Sequence, residues 1–400
     1  MIKPISTCND ALVSSLRLCA IGVGKRSNWS FLKLEMSDGS VGWGELTLRS
    51  HEAVLSALLD TLEPALRGKP LDQLHPYRHA YPGLPSGRAG NAVLSAFDQC
   101  CCDLTGQYLN RPIHHLWGNG SSRRLKAYAT VNRSVLQRTP KGFAESCSAA
   151  VRAGFGGIKI MPFDAVTPQS ASTAEGAAEL KEAVRRLQAV RDAIGPEVSL
   201  MADCHWRLDV PRAMDLIDAL ADINLHWLEC PVPESNERCR SVKDLRRHAN
   251  RRGMLLAGGE NVFSRDGAWP YITQGLYDVI MPDIKYCGGY SEFSAIAELA
   301  SRHAVRVSPH NPSGPIAHAH TVQICAALGL EEAVEQQFAE SHLFGTAVTG
   351  TAPRFIDGHF TVPTEPGLGL ALDETVSSKH PYSHIPLSIN DPSFAGSTGE

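Results

Sequence analysis

The chain has 400 residues, 43% of them hydrophobic and 20% charged, with a formal net charge of −4, enough for one large domain or a barrel with a smaller companion. A near-neutral charge gives no electrostatic footprint for nucleic acid or an anionic membrane. The opening MIKPISTCND lacks the layout of a signal peptide, no apolar run reaches membrane-spanning length, and the eleven scattered cysteines, with no Cys-x-x-Cys pair, point to reduced thiols in a cytoplasmic protein.

In the first third, Leu32, Leu34 and Met36 alternate with Lys33, Glu35 and Ser37. Asp38-Gly39 then turns the chain into Val41 and Trp43, the pattern of an antiparallel hairpin. Ser50 is placed to cap an amphipathic helix running to Leu66, and a second helix is expected from about Asn91 to Gly106. Strands followed by helices predict a small α+β domain.

From about Ala127 the pattern becomes repetitive. Apolar runs end in a polar residue, and each precedes a helix-like segment: Gly157–Ile160, Val198–Asp203, Leu225–Glu229, Met254–Glu260, Asp278–Asp283 and Val305–His310. Asp209 with Pro211 opens one helix, Ser241 opens another that stops at Gly253, and Gly195 ends the long helix from Ser172. Such alternation implies parallel strands joined by crossover helices.

The spacing is the most informative signal. Asp203, Glu229, Glu260, Asp283, His310 and Glu335 follow one another at 26, 31, 23, 27 and 25 residues. Each interval is about one strand–helix unit, so one titratable residue falls at the C-terminal end of each strand. In a barrel those ends converge on a single mouth, whereas an open sheet would spread them along an edge. No Gly-x-Gly-x-x-Gly turn is present, and Gly22–Arg26 lacks the full phosphate-loop pattern.

Three carboxylates, Asp203, Glu229 and Glu260, form an oxygen-only set suited to a hard cation, with Mg²⁺ the natural candidate. Asp283 and His310 form a candidate base dyad, in which the carboxylate fixes the imidazole tautomer. His205, two residues past Asp203, faces the same mouth if the backbone stays extended, and is the candidate general acid. Lys159 sits among apolar residues and needs a partner, either a substrate carboxylate or the ligand cluster. His318 and His320, on an expected helix, and Cys204, Cys230 and Cys287 read as ordinary packing residues.

These residues resemble the enolase superfamily, and within it the mandelate racemase-like acid-sugar dehydratases. The resemblance covers most of the chain. It is carried by Gly42-Trp43-Gly44-Glu45, Asp103-Leu104-Thr105-Gly106, Pro112-Ile113, Leu116-Trp117-Gly118, Trp227-Leu228-Glu229-Cys230-Pro231, Ala257-Gly258-Gly259-Glu260-Asn261, Pro309 to Ala317 and Pro366-Gly367-Leu368-Gly369. It implies an α/β fold, a modified TIM barrel of the (β/α)7β type, with an N-terminal α+β capping domain. The expected limits are 1–125 for the cap, 126–350 for the barrel and 351–400 for a segment returning to the cap. Asp203, Glu229 and Glu260 look like the ligands of one Mg²⁺ per site, Asp283 and His310 like the dyad, and Glu335, flanked by Glu332 and Glu340, like the last-strand polar residue. Asp203-Cys204-His205 is similar to the Asp-x-His arrangement of galactonate dehydratase-like members, where the histidine expels hydroxide. Specificity in the family resides in capping loops, here expected at Gly22–Ser30 and Leu46–Ser50, with Arg26, Trp29 and Arg49 as candidate substrate contacts.

One departure matters. Racemases of the group carry Lys-x-Lys at the second strand, and here the string is Lys159-Ile160-Met161. Methionine cannot move a proton, so the two-base route loses one base. The expected reaction is dehydration of an aldonate or aldarate through an enediolate to a 2-keto-3-deoxy acid, in carbohydrate acid catabolism. Cycloisomerisation, racemisation and a non-catalytic metal-binding barrel are the alternatives. The expected partners are a small carboxylate and further copies of the chain, with neither nucleic acid nor membrane.

Overall fold

The structure is a computed structural model that describes residues 10–24, 27–74, 81, 83–118, 124–167 and 169–383. The expected hairpin is part of a three-stranded antiparallel sheet: β1 (Val13–Gly24), β2 (Ser27–Met36) and β3 (Val41–Glu45). Leu32, Leu34 and Met36 all point into a buried cluster, as their alternation requires. Two longer helices, α1 (Glu52–Leu66) and α2 (Arg88–Tyr108), pack on the sheet, and a short α3 (His114–Trp117) follows. The Gly-Trp-Gly-Glu string has a steric cause. A Cβ at Gly42 would lie 2.5 Å from the Cys100 carbonyl oxygen, and one at Gly44 2.3 Å from that of Ala96. Only glycine lets β3 approach α2 so closely.

Eight parallel strands follow: β4 (Arg124–Thr130), β5 (Gly157–Ile160), β6 (Ser199–Asp203), β7 (Leu225–Glu229), β8 (Leu255–Gly258), β9 (Val279–Ile280), β10 (Arg306–Val307) and β11 (Val334–Gln337). Between them run α4 (Pro140–Arg152), α5 (Ala174–Ile194), α6 (Val210–Ala219), α7 (Cys239–Arg251), α8 (Ser264–Thr273), α9 (Gly289–Arg302) and α10 (Pro315–Leu328). Eight strands and seven crossover helices make the expected (β/α)7β barrel. The strands pair in chain order from β4 to β10, and β11 returns to pair with β4. Across the remaining gap Ser308 Oγ donates to the Ala333 carbonyl at 2.9 Å, and the Asn311 amide side chain donates to that of Glu335 at 2.9 Å. Side chains thus close the ring where the backbone ladder does not. Inside it, Tyr128, Met201, Trp227, Ala257, Val279 and Met281 form a separate buried layer that floors the mouth.

After β11 come α11 (Leu343–Thr346), β12 (Val348–Gly350), β13 (Phe355–Ile356), β14 (His359–Thr361), β15 (Leu370–Leu372) and α12 (Glu374–Lys379). The β13–β14 hairpin pairs with β4, on the barrel. Further on, the chain reaches the capping sheet, where Gly22 N donates to the His380 carbonyl at 2.9 Å.

Two helix starts differ from expectation. The first helix begins at Glu52 after His51, and Ser50 stands at φ 63° without capping it. The helix expected from Ser241 begins at Cys239. The other signals act as read: Asp209 Oδ1 accepts from Arg212 N at 2.8 Å, and Thr173 caps the helix that Gly195 ends. No helix among the described residues is long and apolar enough to cross a membrane.

Candidate active site

Each barrel strand delivers one group to the mouth. Asp203 and Glu229 are the last residues of β6 and β7, and Glu260 stands two residues beyond β8. Their carboxylate oxygens lie within 4.8 Å of one another, and all three residues are buried. Burial, helped by the charges of Asp203 and Glu335 and opposed by Lys159, pushes Glu229 up to about 8, and burial with the charges of Asp203 and Glu229 raises Glu260 well above its usual range. Burial also pushes Asp203 upward, but His205 and Lys159 pull it down to about 2. Three crowded, dehydrated carboxylates cannot all ionise without a compensating cation. Glu260 Oε2 is moreover buried with no hydrogen-bond partner. An all-oxygen trio with an orphaned lone pair fits a hard divalent cation.

Lys159, in β5, finds its partner in the cluster: Nζ is 2.8 Å from Glu229 Oε1 and 3.0 Å from Glu335 Oε1. Burial works against its charge, but these carboxylates hold its pKa above the ordinary lysine value. Glu335, in β11, also accepts from Asn311 N at 2.8 Å and from the Thr130 hydroxyl. Trp227 Nε1 donates to the second oxygen of Glu229 at 2.9 Å.

The two histidines meet the trio from different ends. His310 lies three residues beyond β10, and its Nδ1 is 2.8 Å from Asp283 Oδ2. Burial lowers its pKa despite that bond, which favours the neutral ring. With Nδ1–H donating to Asp283, the Nε2 lone pair faces the trio, 3.5 Å from Glu260 Oε2. His205 is not on extended backbone. It and Trp206 sit at φ 46° and 55°, a tight left-handed turn in which His205 N donates to Asp203 Oδ1 at 2.9 Å. The turn still brings His205 Nε2 to 2.8 Å from Asp203 Oδ2.

The capping-loop residues fare differently. Arg26 lies outside the described residues. The stretch from Gly22 to Ser30 is mostly β1 and β2 rather than a loop, and Trp29 is 1% exposed, its ring edge-on to Phe344 at 6.0 Å. Arg49 is half-buried after β3, where its carbonyl contacts His51 Nδ1 at 2.7 Å. Cys204, Cys230 and Cys287 are buried thiols whose pKa burial raises, which keeps them protonated and inert.

Lys285 escaped the sequence reading. Its Nζ is 2.6 Å from Asp283 Oδ2, the oxygen that also accepts from His310, and it is fully buried. Burial pushes Asp283 up, but Lys285 and His310 together hold it at about 2. The only sequence hint is a lysine two positions after a strand-end aspartate.

Residues 142–376 match the family model for enolase C-terminal domain-like proteins, and residues 11–118 match the mandelate racemase/muconate lactonizing enzyme N-terminal domain. A D-galactonate dehydratase family member from Streptomyces bingchenggensis (strain BCW-1) is 29% identical, over 90% of this chain and 92% of its own length. A D-galactarolactone cycloisomerase from Agrobacterium fabrum is also 29% identical, over 86% and 88%. A solved structure from Burkholderia xenovorans strain LB400, bound to magnesium and fumarate, superposes with a TM-score of 0.81 at 22% identity, covering 92% of this chain and 96% of that one.

Proposed function

Because the chain belongs to the mandelate racemase/muconate lactonizing enzyme family of the enolase superfamily, we propose that it is a Mg²⁺-dependent dehydratase of a sugar acid. The observation that carries this reading is the pairing of a base and an acid around one carboxylate trio, with His310 at the Glu260 end and His205 at the Asp203 end. A single-base arrangement alone would fit many reactions of the family; the second histidine is what elimination needs.

Asp203, Glu229 and Glu260 would hold the cation. When bound, it supplies Lewis-acid stabilisation to the negative charge that develops on the substrate carboxylate. His310 Nε2 takes the proton from the α-carbon, and Asp283 steadies the imidazolium that results. Lys159 places a permanent positive charge beside the trio, balancing Glu229 and Glu335 so that the mouth tolerates the enediolate. His205 hands a proton to the β-hydroxyl, the C–O bond breaks and water leaves. The enol product tautomerises to a 2-keto-3-deoxy acid. Met161 stands where the racemases carry their second lysine, so proton return to the opposite face has no base there.

A cycloisomerase is the second reading, favoured by the relative of that name at the same identity as the dehydratase relative. The same enediolate would then expel a ring oxygen. Both readings are tested by supplying aldonic acids, aldaric acids and their lactones with Mg²⁺ and trapping keto acid with a carbonyl reagent. Keto acid from an open-chain acid, abolished by EDTA, supports the dehydratase. Turnover confined to lactones transfers the assignment to the cycloisomerase.

A further inference from the structure

Arg88 of the capping domain lies against the loop that follows β9. Arg88 is the first residue of α2, and α2 rests on the loop after β9 and the start of α9: Gly288 N donates to Ser95 Oγ at 2.9 Å, and Tyr290 N donates to Asp98 Oδ2 at 2.6 Å. The Arg88 guanidinium lies 4.7 Å from the centroid of Tyr286, three residues beyond Asp283. Its charge reaches Glu260, which it stabilises as the anion.

The two buried lysines near the trio and the dyad are spoken for. Lys159 is held by Glu229 and Glu335, and Lys285 by Asp283. Arg88 forms no ion pair among the described residues, and its Nε is buried without a hydrogen-bond partner. Glu260 Oε2, on the carboxylate that the Arg88 charge reaches, is likewise buried without a partner, as is Oδ1 of the adjacent Asn261. A ligand that satisfied Arg88 would therefore sit beside the Glu260 end of the trio. A guanidinium stacked on an aromatic ring presents its fork edge-on, the geometry that takes a planar carboxylate through two parallel hydrogen bonds.

We propose that Arg88 binds a second carboxylate at the far end of the substrate, which makes the preferred substrate a diacid, an aldarate rather than an aldonate. The inference deepens the sugar-acid reading and rests on it for the identity of the near carboxylate at the trio. One charge-assisted pair is worth about 10-fold or more in affinity, so the effect is measurable as a ratio.

The test uses the full chain loaded with Mg²⁺ and carrying His310→Asn to prevent turnover. Galactarate and galactonate, then glucarate and gluconate, are titrated calorimetrically with and without Arg88→Met. The diacid of at least one pair binds about 10-fold tighter than its monoacid, Arg88→Met brings the two within about 2-fold, and Arg88→Lys falls between. The Lys variant keeps the test open if the Met variant does not fold. Equal affinities, weaker diacid binding, no diacid binding in either pair, or a parallel loss for both acids on Arg88→Met overturns the proposal. In the last case Arg88 only balances the trio's charge. Keto-acid formation by the unmodified enzyme is scored separately. A diacid preference without keto acid defeats the dehydratase reading and leaves the role of Arg88 intact.

Discussion

His205 and His310 touch different carboxylates of one trio, and that separation makes their roles separable by experiment. His310→Asn removes the Nε2 lone pair while leaving Asp203, Glu229 and Glu260 in place. Exchange of the substrate α-proton with solvent deuterium, followed by NMR, is expected to fall at least about 10²-fold; exchange at the unmodified rate would move the base to another residue. His205→Asn is expected to lower keto-acid formation by a similar factor while exchange continues, because the enediolate can be reprotonated by His310. Retained dehydration would remove His205 from the reaction. Asp203, Glu229 and Glu260 were legible in the sequence as candidate ligands because three carboxylates end successive apolar runs at the spacing of strand–helix units. Lys285 and Arg88 were not. Lysine after a strand and arginine at a helix start are ordinary surface patterns, and only the folded chain reveals that Asp283 and Tyr286 face them.

Elements of the cap and barrel are joined by carboxylates that cap helices across the boundary. Glu45, the last residue of β3, accepts from Gly314 N and Ala317 N at 2.8 Å each, at the start of α10. Asp98 of α2 does the same for α9 through Tyr290 N. Glu45 is fully buried, so its removal would leave two orphaned donors in the interior. Glu45→Ala is expected to cost about 2–3 kcal/mol in urea unfolding and Glu45→Gln less, since the amide oxygen still accepts. A cost near zero for the alanine variant would show that α10 does not depend on this cap. None of this coupling shows in the periodicity that located the elements, because the partners are 269 residues apart. The same locality explains the misplaced helix starts. Ser50 has a capping side chain but a left-handed backbone, φ 63°, imposed by the turn out of β3. Strands β9 and β10 were read as six-residue runs but pair over only two residues, since their ends leave the sheet to deliver Asp283 and His310.

At the scale of the whole molecule, the trio sets a conflict that only a cation resolves, and pH exposes it. Glu229, ordinarily near 4.5, titrates at about 8 in the folded chain because burial opposes its charge. A group raised by folding adds stability that is complete below its unfolded pKa and is lost as pH rises through the folded one. The cation-free protein is therefore expected to lose stability between about pH 4.5 and pH 8 as Glu229 is forced to ionise. A bound divalent cation favours the ionised form and offsets that loss, and cation binding at neutral pH displaces protons. The difference in melting temperature between Mg²⁺-loaded and EDTA-treated protein is thus expected to widen from pH 6 to pH 9. At a cation concentration of about 100 Kd the linkage is worth about 2.7 kcal/mol, a shift of several degrees. Glu229→Gln, which can neither ionise nor ligate as a carboxylate, is expected to shrink the difference and flatten its pH dependence. Scanning calorimetry of both proteins across that range decides it: a difference that stays constant or narrows with rising pH, or that persists in Glu229→Gln, would place the cation away from this trio.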